Sequence, residues 1–120
     1  MRAELRWLET NDFRTWEEFS AAERPDPFDC SGWFACGIGS DAEPGEETFQ
    51  FVVATPGAVS RVQRERRGLR LLVVGEFTRA AIEDMLREHV SKITGYQWSD
   101  ISNQLRKTMY SEYESTRQMP

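Results

Sequence analysis

Few residues of this chain have side chains suited to catalysis, and their spacing does not assemble them into a site. His89 is the only histidine, so a metal site built from several histidines is excluded. No serine or cysteine stands in a nucleophile motif such as G-x-S-x-G. The pairs Glu46/Glu47 and Glu112/Glu114 could serve as acid and base, but carboxylates in loops and on helix surfaces are usually solvated. We therefore expect no catalytic site, no metal and no cofactor.

Two short patterns approach functional motifs without meeting their requirements. Gly37 and Gly39 lack the third glycine and the following helix of a dinucleotide-binding loop. Cys30 and Cys36 lie six residues apart, which fits neither a C-x-x-C redox motif nor half of a zinc site. We predict two free thiols, with a small disulfide-closed loop as the alternative.

The acidic residues are concentrated in the first part of the chain. The 120 residues carry a formal net charge of -5, yet residues 1–50 hold 12 acidic residues against four arginines. Such a surface argues against nucleic acid as a partner and favours a basic protein, because complementary charge speeds association. The charge lies in two clusters, Glu17, Glu18, Glu23, Asp26 and Asp29 in the first and Asp41, Glu43, Glu46 and Glu47 in the second.

From these clusters we select candidate residues for binding a protein partner. The acidic candidates are Asp41, Glu43, Glu46 and Glu47, together with Glu17 and Glu18. Trp16 is an additional candidate, either as an exposed interface anchor or as a residue packed on its own domain.

A basic cluster supplies a candidate secondary contact. It consists of Arg61, Arg64, Arg66 and Arg67. Arginine clusters can bind phosphate, but this one has neither interleaved aromatic residues nor a glycine-rich cradle before a helix. We predict a hairpin loop kept soluble by charge, or a contact arm for a protein partner.

Apolar alternation predicts the strands that must position these residues. Four strands are expected, at residues 2–9, 33–38, 49–55 and 69–77. Residues 41–47 form a hairpin loop around Pro44-Gly45. The fourth strand is apolar on both faces, which predicts either a central place in the sheet or a cover of helices. Residues 11–28 are expected to form a loose loop with one helical turn.

Two amphipathic helices are predicted after the strands, at residues 79–94 and 98–114. Thr78 is a suitable N-cap for the first helix and Gly95 a suitable end, while His89 falls at the edge of its apolar face. The second helix has an apolar stripe made of Trp98, Ile101, Leu105, Met109 and Tyr113. The predicted fold is therefore α+β, a mainly antiparallel sheet of about four strands covered on one side by two C-terminal helices. One domain over residues 1–120 is expected.

The location of the protein is predicted from its apolar runs. The strand at residues 69–77 is the longest such run and already contains Arg70 and Glu76, so no segment approaches the roughly 20 apolar residues of a membrane span. Charges at Arg2, Glu4 and Arg6 fall where a signal peptide would need its apolar stretch. We expect a cytoplasmic protein without a membrane partner.

Several short motifs occur in the same order as these elements. They are M-R-A-E-L at residues 1–5, I-G at 38–39, F-Q-F-V-V-A-T-P at 49–56, L-L-V-V-G-E-F at 71–77, Trp98, and Y-S-E-Y-E at 110–114. Together they resemble the immunity protein 8 family of bacterial polymorphic toxin systems.

The resemblance implies a small protein that binds a cognate toxin domain stoichiometrically and holds it inert, and that has no catalytic activity of its own. A nuclease toxin would suit the acidic surface, which could occupy a basic substrate groove. Two other classes remain open: a non-catalytic adaptor domain, and a small ligand-binding protein or enzyme. We expect a monomer or a weak homodimer formed through an open sheet edge.

Overall fold

The elements follow one another largely in the order that the apolar periodicity predicts. The structure, a computed structural model, describes residues 1–114. No helix within that range is long and apolar enough to cross a lipid bilayer. In chain order the elements are β1 (Ala3–Thr10), α1 (Trp16–Ala21), β2 (Ser31–Ser40), β3 (Glu47–Ala54), α2 (Pro56–Glu65), β4 (Leu71–Val73), α3 (Arg79–Ser91), α4 (Trp98–Leu105) and β5 (Tyr110–Ser111).

The strands form one sheet in the spatial order β1-β2-β3-β4, and the short β5 also pairs with β3. The β1–β2, β2–β3 and β3–β5 pairs are antiparallel. Among the strand pairs of residues 1–114, only β3 and β4 are parallel, with Val52 beside Leu71 and Ala54 beside Val73. The predicted α+β class with a mainly antiparallel sheet is confirmed.

The connection between β3 and β4 is a helix and not the charged hairpin loop that we expected. Parallel strands cannot be joined by a tight turn and need a crossover connection, which α2 provides. Its sequence signal is Pro56 after Thr55, because proline is favoured at the first helical position. Ala58 and Val62 then form its buried side. The signal is ambiguous because Pro-Gly is equally typical of a strand end.

The last predicted helix is too long. α4 ends at Leu105, and the chain turns and forms β5 before residue 114. Met109 remains fully buried although it is outside the helix, whereas Tyr113 is exposed. The apolar spacing of the sequence therefore continues beyond Leu105, where the helix ends.

The fourth strand is also shorter than predicted and lies at the edge of the sheet. Its central placement was therefore wrong. The alternative of covered faces fits better, because Leu72 belongs to one apolar cluster and Leu71 packs against the other. Val73, at the end of the strand, is half-exposed.

Two apolar clusters lie on the two faces of β3. Phe49, Phe51 and Val53 belong to the larger cluster, which also contains buried residues of α3 and α4. Val52 and Ala54 belong to the smaller cluster, together with buried residues of α2. Neighbouring strand residues point to opposite faces, so this strand is buried on both sides. Each fully buried large apolar side chain contributes roughly 1.5–3 kcal/mol to folding.

The free edge of β1 is partly covered. Near its start the Ala3 N–H donates to the Ile93 carbonyl at 3.0 Å. Near its end the Leu8 carbonyl accepts a hydrogen bond from the Trp16 indole at 3.2 Å. Between these points the pairing register shifts, as in a β-bulge. Bulges and covered edge groups disfavour pairing with another strand.

Candidate functional site

The second acidic cluster lies in the hairpin loop, residues 41–46, which joins β2 to β3. All six residues are exposed. The Ser40 hydroxyl accepts hydrogen bonds from the backbone N–H groups of Ala42 and Glu43, at 3.2 and 2.9 Å. The Asp41 carboxylate accepts one from the Arg2 N–H at 2.7 Å. These bonds fix the start of the loop against the end of β2 and against Arg2, which precedes β1.

The end of the hairpin loop is held against the sheet. A side chain at Gly39 would place its Cβ 2.5 Å from the Gly45 carbonyl oxygen, so the loop can approach only because this position is glycine. The Glu46 carboxylate accepts a hydrogen bond from the Trp7 indole of β1. Gly39, one of the two glycines that do not form a nucleotide-binding motif, therefore allows the hairpin loop to pack against the sheet.

Glu47 differs from the three acidic candidates before it. It is the first residue of β3 and is only 3% exposed. Its carboxylate accepts hydrogen bonds from the Trp98 indole at 2.8 Å, from the Ser102 hydroxyl at 3.1 Å and from the Ser111 hydroxyl, and it pairs with Arg106 at 3.4 Å. We correct its predicted role accordingly: Glu47 ties β3 to α4 and β5 and presents no charge to a partner.

A cleft of about 460 Å³ lies between the hairpin loop and α4. Its lining includes Glu43 and Glu46 of the loop, Trp98 and Asn103 of α4, and Tyr113. Within residues 1–114, no lysine or arginine side chain makes an ion pair with Asp41, Glu43 or Glu46, because the ion pairs of this range join other carboxylates. Arg106 also lines the cleft, but it is paired with Glu47.

Two exposed tyrosines were missed as candidates by sequence reasoning. Tyr96, in the connection between α3 and α4, is 99% exposed, and Tyr113 is 70% exposed. Tyr96 lines a shallow groove together with Asp41. For Tyr96 the available signal was its place after Gly95, in a short connection between helices. Tyr113 was assigned to the apolar stripe of the last predicted helix and was therefore not considered as a binding residue.

The first acidic cluster and Trp16 are at the opposite end of the sheet, around α1 and residues 22–30. Trp16 is half-buried and packs on Phe19 and Phe34, with ring centroids 5.1 and 5.8 Å away. It is therefore packed on its own domain. Glu17 and Glu18 are exposed in the first turn of α1, and Glu18 pairs with Arg14 at 3.3 Å.

The arginine cluster lies on α2 and just beyond it. Arg61 and Arg64 are in the helix, Arg66 is its C-cap residue, and Arg67 follows. Arg61 hydrogen-bonds Asp29 at 2.8 Å, and this bond raises the pKa of the Arg61 guanidinium. One arginine of the cluster is therefore already engaged with an acidic residue of the same chain.

The α1 end, which carries the first acidic cluster, also has an exposed aromatic residue and a cleft. Phe28 is 72% exposed, and a cleft of about 440 Å³ is lined by residues that include Asp26, Asp29 and Arg61. The backbone here is packed closely on α2, because a Cβ at Gly57 would lie 2.3 Å from the Phe28 carbonyl oxygen. Arginine and carboxylate groups are therefore mixed at this end.

His89 and the two cysteines lie partly or fully inside the fold. His89 is half-buried, with Nε2 3.0 Å from the Thr108 hydroxyl, and burial followed by the nearby Lys92 charge lowers its pKa. Cys30 and Cys36 are free and buried, and burial raises the pKa of both thiols. The prediction of free thiols is confirmed. Within residues 1–114, no three His, Cys, Asp or Glu side chains lie together in a way that could hold a metal ion.

Comparison with known proteins assigns the chain to a class. The model of the family described as immunity protein 8 matches residues 3–116, nearly the whole length. The chain therefore belongs to the immunity protein 8 family, as its motifs indicated. No curated protein and no solved structure matches it significantly.

Proposed function

We propose that this protein binds a cognate polymorphic toxin domain in a one-to-one complex and so holds the toxin inert in the cytoplasm of the producing cell. It acts by occupying a surface of the toxin and performs no catalysis. The observation that carries this proposal is the family match over residues 3–116.

The charge of the exposed hairpin loop supports a basic partner. Asp41, Glu43 and Glu46 are exposed on a loop that is fixed to the sheet, and no cation of residues 1–114 makes an ion pair with them. A fixed group of like charges raises the rate at which an oppositely charged protein associates. The substrate groove of a nuclease is such a surface, so a nuclease domain is the toxin that fits this loop best.

The covered edge of β1 supports a monomer as the binding form. Ala3 and Leu8 already use outward backbone groups within the chain, and the strand is interrupted by a register shift. A second copy would find few free groups there with which to extend the sheet.

Co-expression tests the proposed function directly. The chain is produced in a bacterial host together with the product of the adjacent upstream open reading frame, and host survival and co-purification are measured. The empty vector is the control for toxicity. Rescue of growth together with a one-to-one complex is the expected result. A harmless neighbour, or rescue without any complex, would contradict the proposal and favour an adaptor or a small enzyme.

A further inference from the structure

The described part of the chain exposes four large apolar side chains. Within residues 1–114 they are Phe28, Val73, Tyr96 and Tyr113. The two tyrosines both adjoin the hairpin loop, because Tyr96 shares a groove with Asp41 and Tyr113 lines the cleft beside α4 with Glu43. Tyrosine is enriched among residues that dominate binding energy at protein interfaces.

The cleft beside Tyr113 is held in shape before any partner arrives. The buried Glu47 carboxylate joins β3 to Trp98, Ser102 and Arg106 of the α4 region, and all four residues line the cleft. A surface that is already ordered loses less conformational entropy on binding.

The charge of the cleft selects its occupant. The positive charge of Arg106 is balanced by Glu47, so Glu43 and Glu46 leave the lining with an excess of negative charge. Trp98 and Tyr113 are the aromatic residues of the same lining. Carboxylates and aromatic faces together are the groups that bind a guanidinium or ammonium head.

We propose that this cleft receives an arginine or lysine side chain that projects from the toxin domain, with Tyr113 as the contact that anchors it. This inference rests on the proposed function and adds where the toxin binds and which chemistry it presents. The side-chain stem packs along Tyr113 and Trp98, and its charged head lies near Glu43 and Glu46. Tyr96 and Asp41 extend the same interface around the hairpin loop.

The opposite end of the sheet is less suited to the same occupant. Arg61 pairs with Asp29 there, and Arg14 pairs with Glu18. Arg24 lies over the Phe19 ring, 4.3 Å from its centroid. A basic partner would meet arginines among the carboxylates at that end, and like charges across an interface disfavour binding.

Two substitutions test the cleft by opposite means. Tyr113→Ala removes the proposed anchor, and Asn103→Arg places a cation of this chain in the cleft, where it repels and obstructs the incoming one. Both side chains are exposed, so folding is expected to be retained. The matched controls are Phe28→Ala, which removes an exposed aromatic ring at the other end, and Gln63→Arg, which adds a cation on the exposed side of α2.

The measurement is the dissociation constant of each full-length variant with a catalytically inactive form of the toxin domain, by titration calorimetry. We expect Tyr113→Ala and Asn103→Arg to weaken binding by about 30-fold or more, as loss of an interface hot spot does. The two controls should change it less than about threefold. Unfolding midpoints of all four variants verify that they are folded.

The outcomes separate this inference from the proposed function. If the wild type binds and rescues but both cleft variants bind equally well, the cleft is not the site, while immunity by binding stands. Stronger loss in Phe28→Ala would place the interface at the other end. If the wild type forms no complex, both proposals fail. A wild-type chain that dimerises alone, and becomes a monomer in Tyr113→Ala, would identify a second copy as the occupant and overturn the inference.

Discussion

The two ends of the β2 strand carry similar numbers of acidic residues but arrange them differently. The hairpin-loop end has Asp41, Glu43 and Glu46 on an exposed loop, with the buried Glu47 behind them. The α1 end, about 30 Å away along a ten-residue strand, pairs Glu18 and Asp29 with arginines. A net charge for the front half of the chain hides this difference. Charge that has been paired within the chain contributes less to the recognition of a partner.

The largest effect is expected from Glu47, the buried carboxylate of the hairpin-loop end. Glu47→Ala leaves Arg106 without its partner and removes the acceptor for Trp98 and Ser102, so the free energy of unfolding should fall by about 3 kcal/mol. Urea denaturation measures this change. The matched variant is Asp29→Ala, which breaks an exposed ion pair at the α1 end and should cost less than about 1 kcal/mol. Equal losses would mean that the buried network is no stronger than a surface pair.

Charge reversal compares the two ends in binding. The triple variant Asp41→Lys, Glu43→Lys and Glu46→Lys should slow association with the toxin domain by about tenfold to a hundredfold at low salt, because it reverses the field that attracts a basic surface. Stopped-flow mixing measures the rate, and added salt should reduce the difference.

The control for this reversal is the triple variant Glu17→Lys, Glu18→Lys and Glu23→Lys at the α1 end, which changes the net charge equally. Its association rate should stay within about threefold of the wild type. If the control slows association as much as the loop variant, net charge and not the hairpin loop governs the encounter.

A smaller effect on stability is expected at Gly39, which allows the hairpin loop to pack against the sheet. Gly39→Ala puts a Cβ 2.5 Å from the Gly45 carbonyl oxygen, so the backbone must move, at a cost of about 1–3 kcal/mol in the free energy of unfolding. Gly75→Ala is the matched control, since no atom beyond its two chain neighbours lies within 4 Å of its added Cβ. Thermal denaturation of both variants tests the contact. An unchanged unfolding temperature in Gly39→Ala would show that the hairpin loop does not contact Gly39 in this way.

The smallest effect is the pH dependence contributed by Glu114. Burial raises the pKa of this carboxyl group, but hydrogen bonds from Arg70 and the Ser111 N–H, with the charges of Arg70 and Arg106, outweigh it and leave the pKa below its ordinary value. The stabilisation that Glu114 contributes is therefore fully present above its pKa of about 4.3 in the unfolded chain. It is lost as the pH falls through the lower pKa of Glu114 in the folded protein.

Unfolding free energies measured between pH 6 and pH 3 should show this loss for the wild type. In Arg70→Met the main partner of Glu114 is absent, so that part of the acid sensitivity should diminish. An identical pH profile in the two proteins would contradict the pairing as the cause.

Much of the fold was predictable because it is local. Alternating apolar residues identified β1, β2 and β3, and Thr78 was correctly read as the cap of α3, where its hydroxyl accepts a hydrogen bond from the Ala81 N–H. α2 was missed because a proline after a strand is compatible with both a turn and a helix start. Only the parallel pairing of β4, a long-range contact, decides between them.

The candidate site was less predictable, for a similar reason. Glu46 and Glu47 are neighbours of identical type, yet one is exposed and the other is buried against α4 and β5. Nothing in their local sequence distinguishes them, since the partners of Glu47 lie 51 to 64 residues further along the chain. Tyr113 was likewise assigned to the wrong element, because the apolar spacing of the sequence continues beyond the end of α4.

Amide hydrogen exchange of the wild-type chain, with and without the inactive toxin domain, compares the two ends most directly. At short labelling times, binding should protect the hairpin loop at residues 41–46 and the stretch from Tyr96 to Asn103, and leave α1 and residues 22–30 unchanged. Protection confined to the α1 end, with the loop exchanging as in the free protein, would contradict the assignment of the hairpin-loop end as the toxin-binding surface.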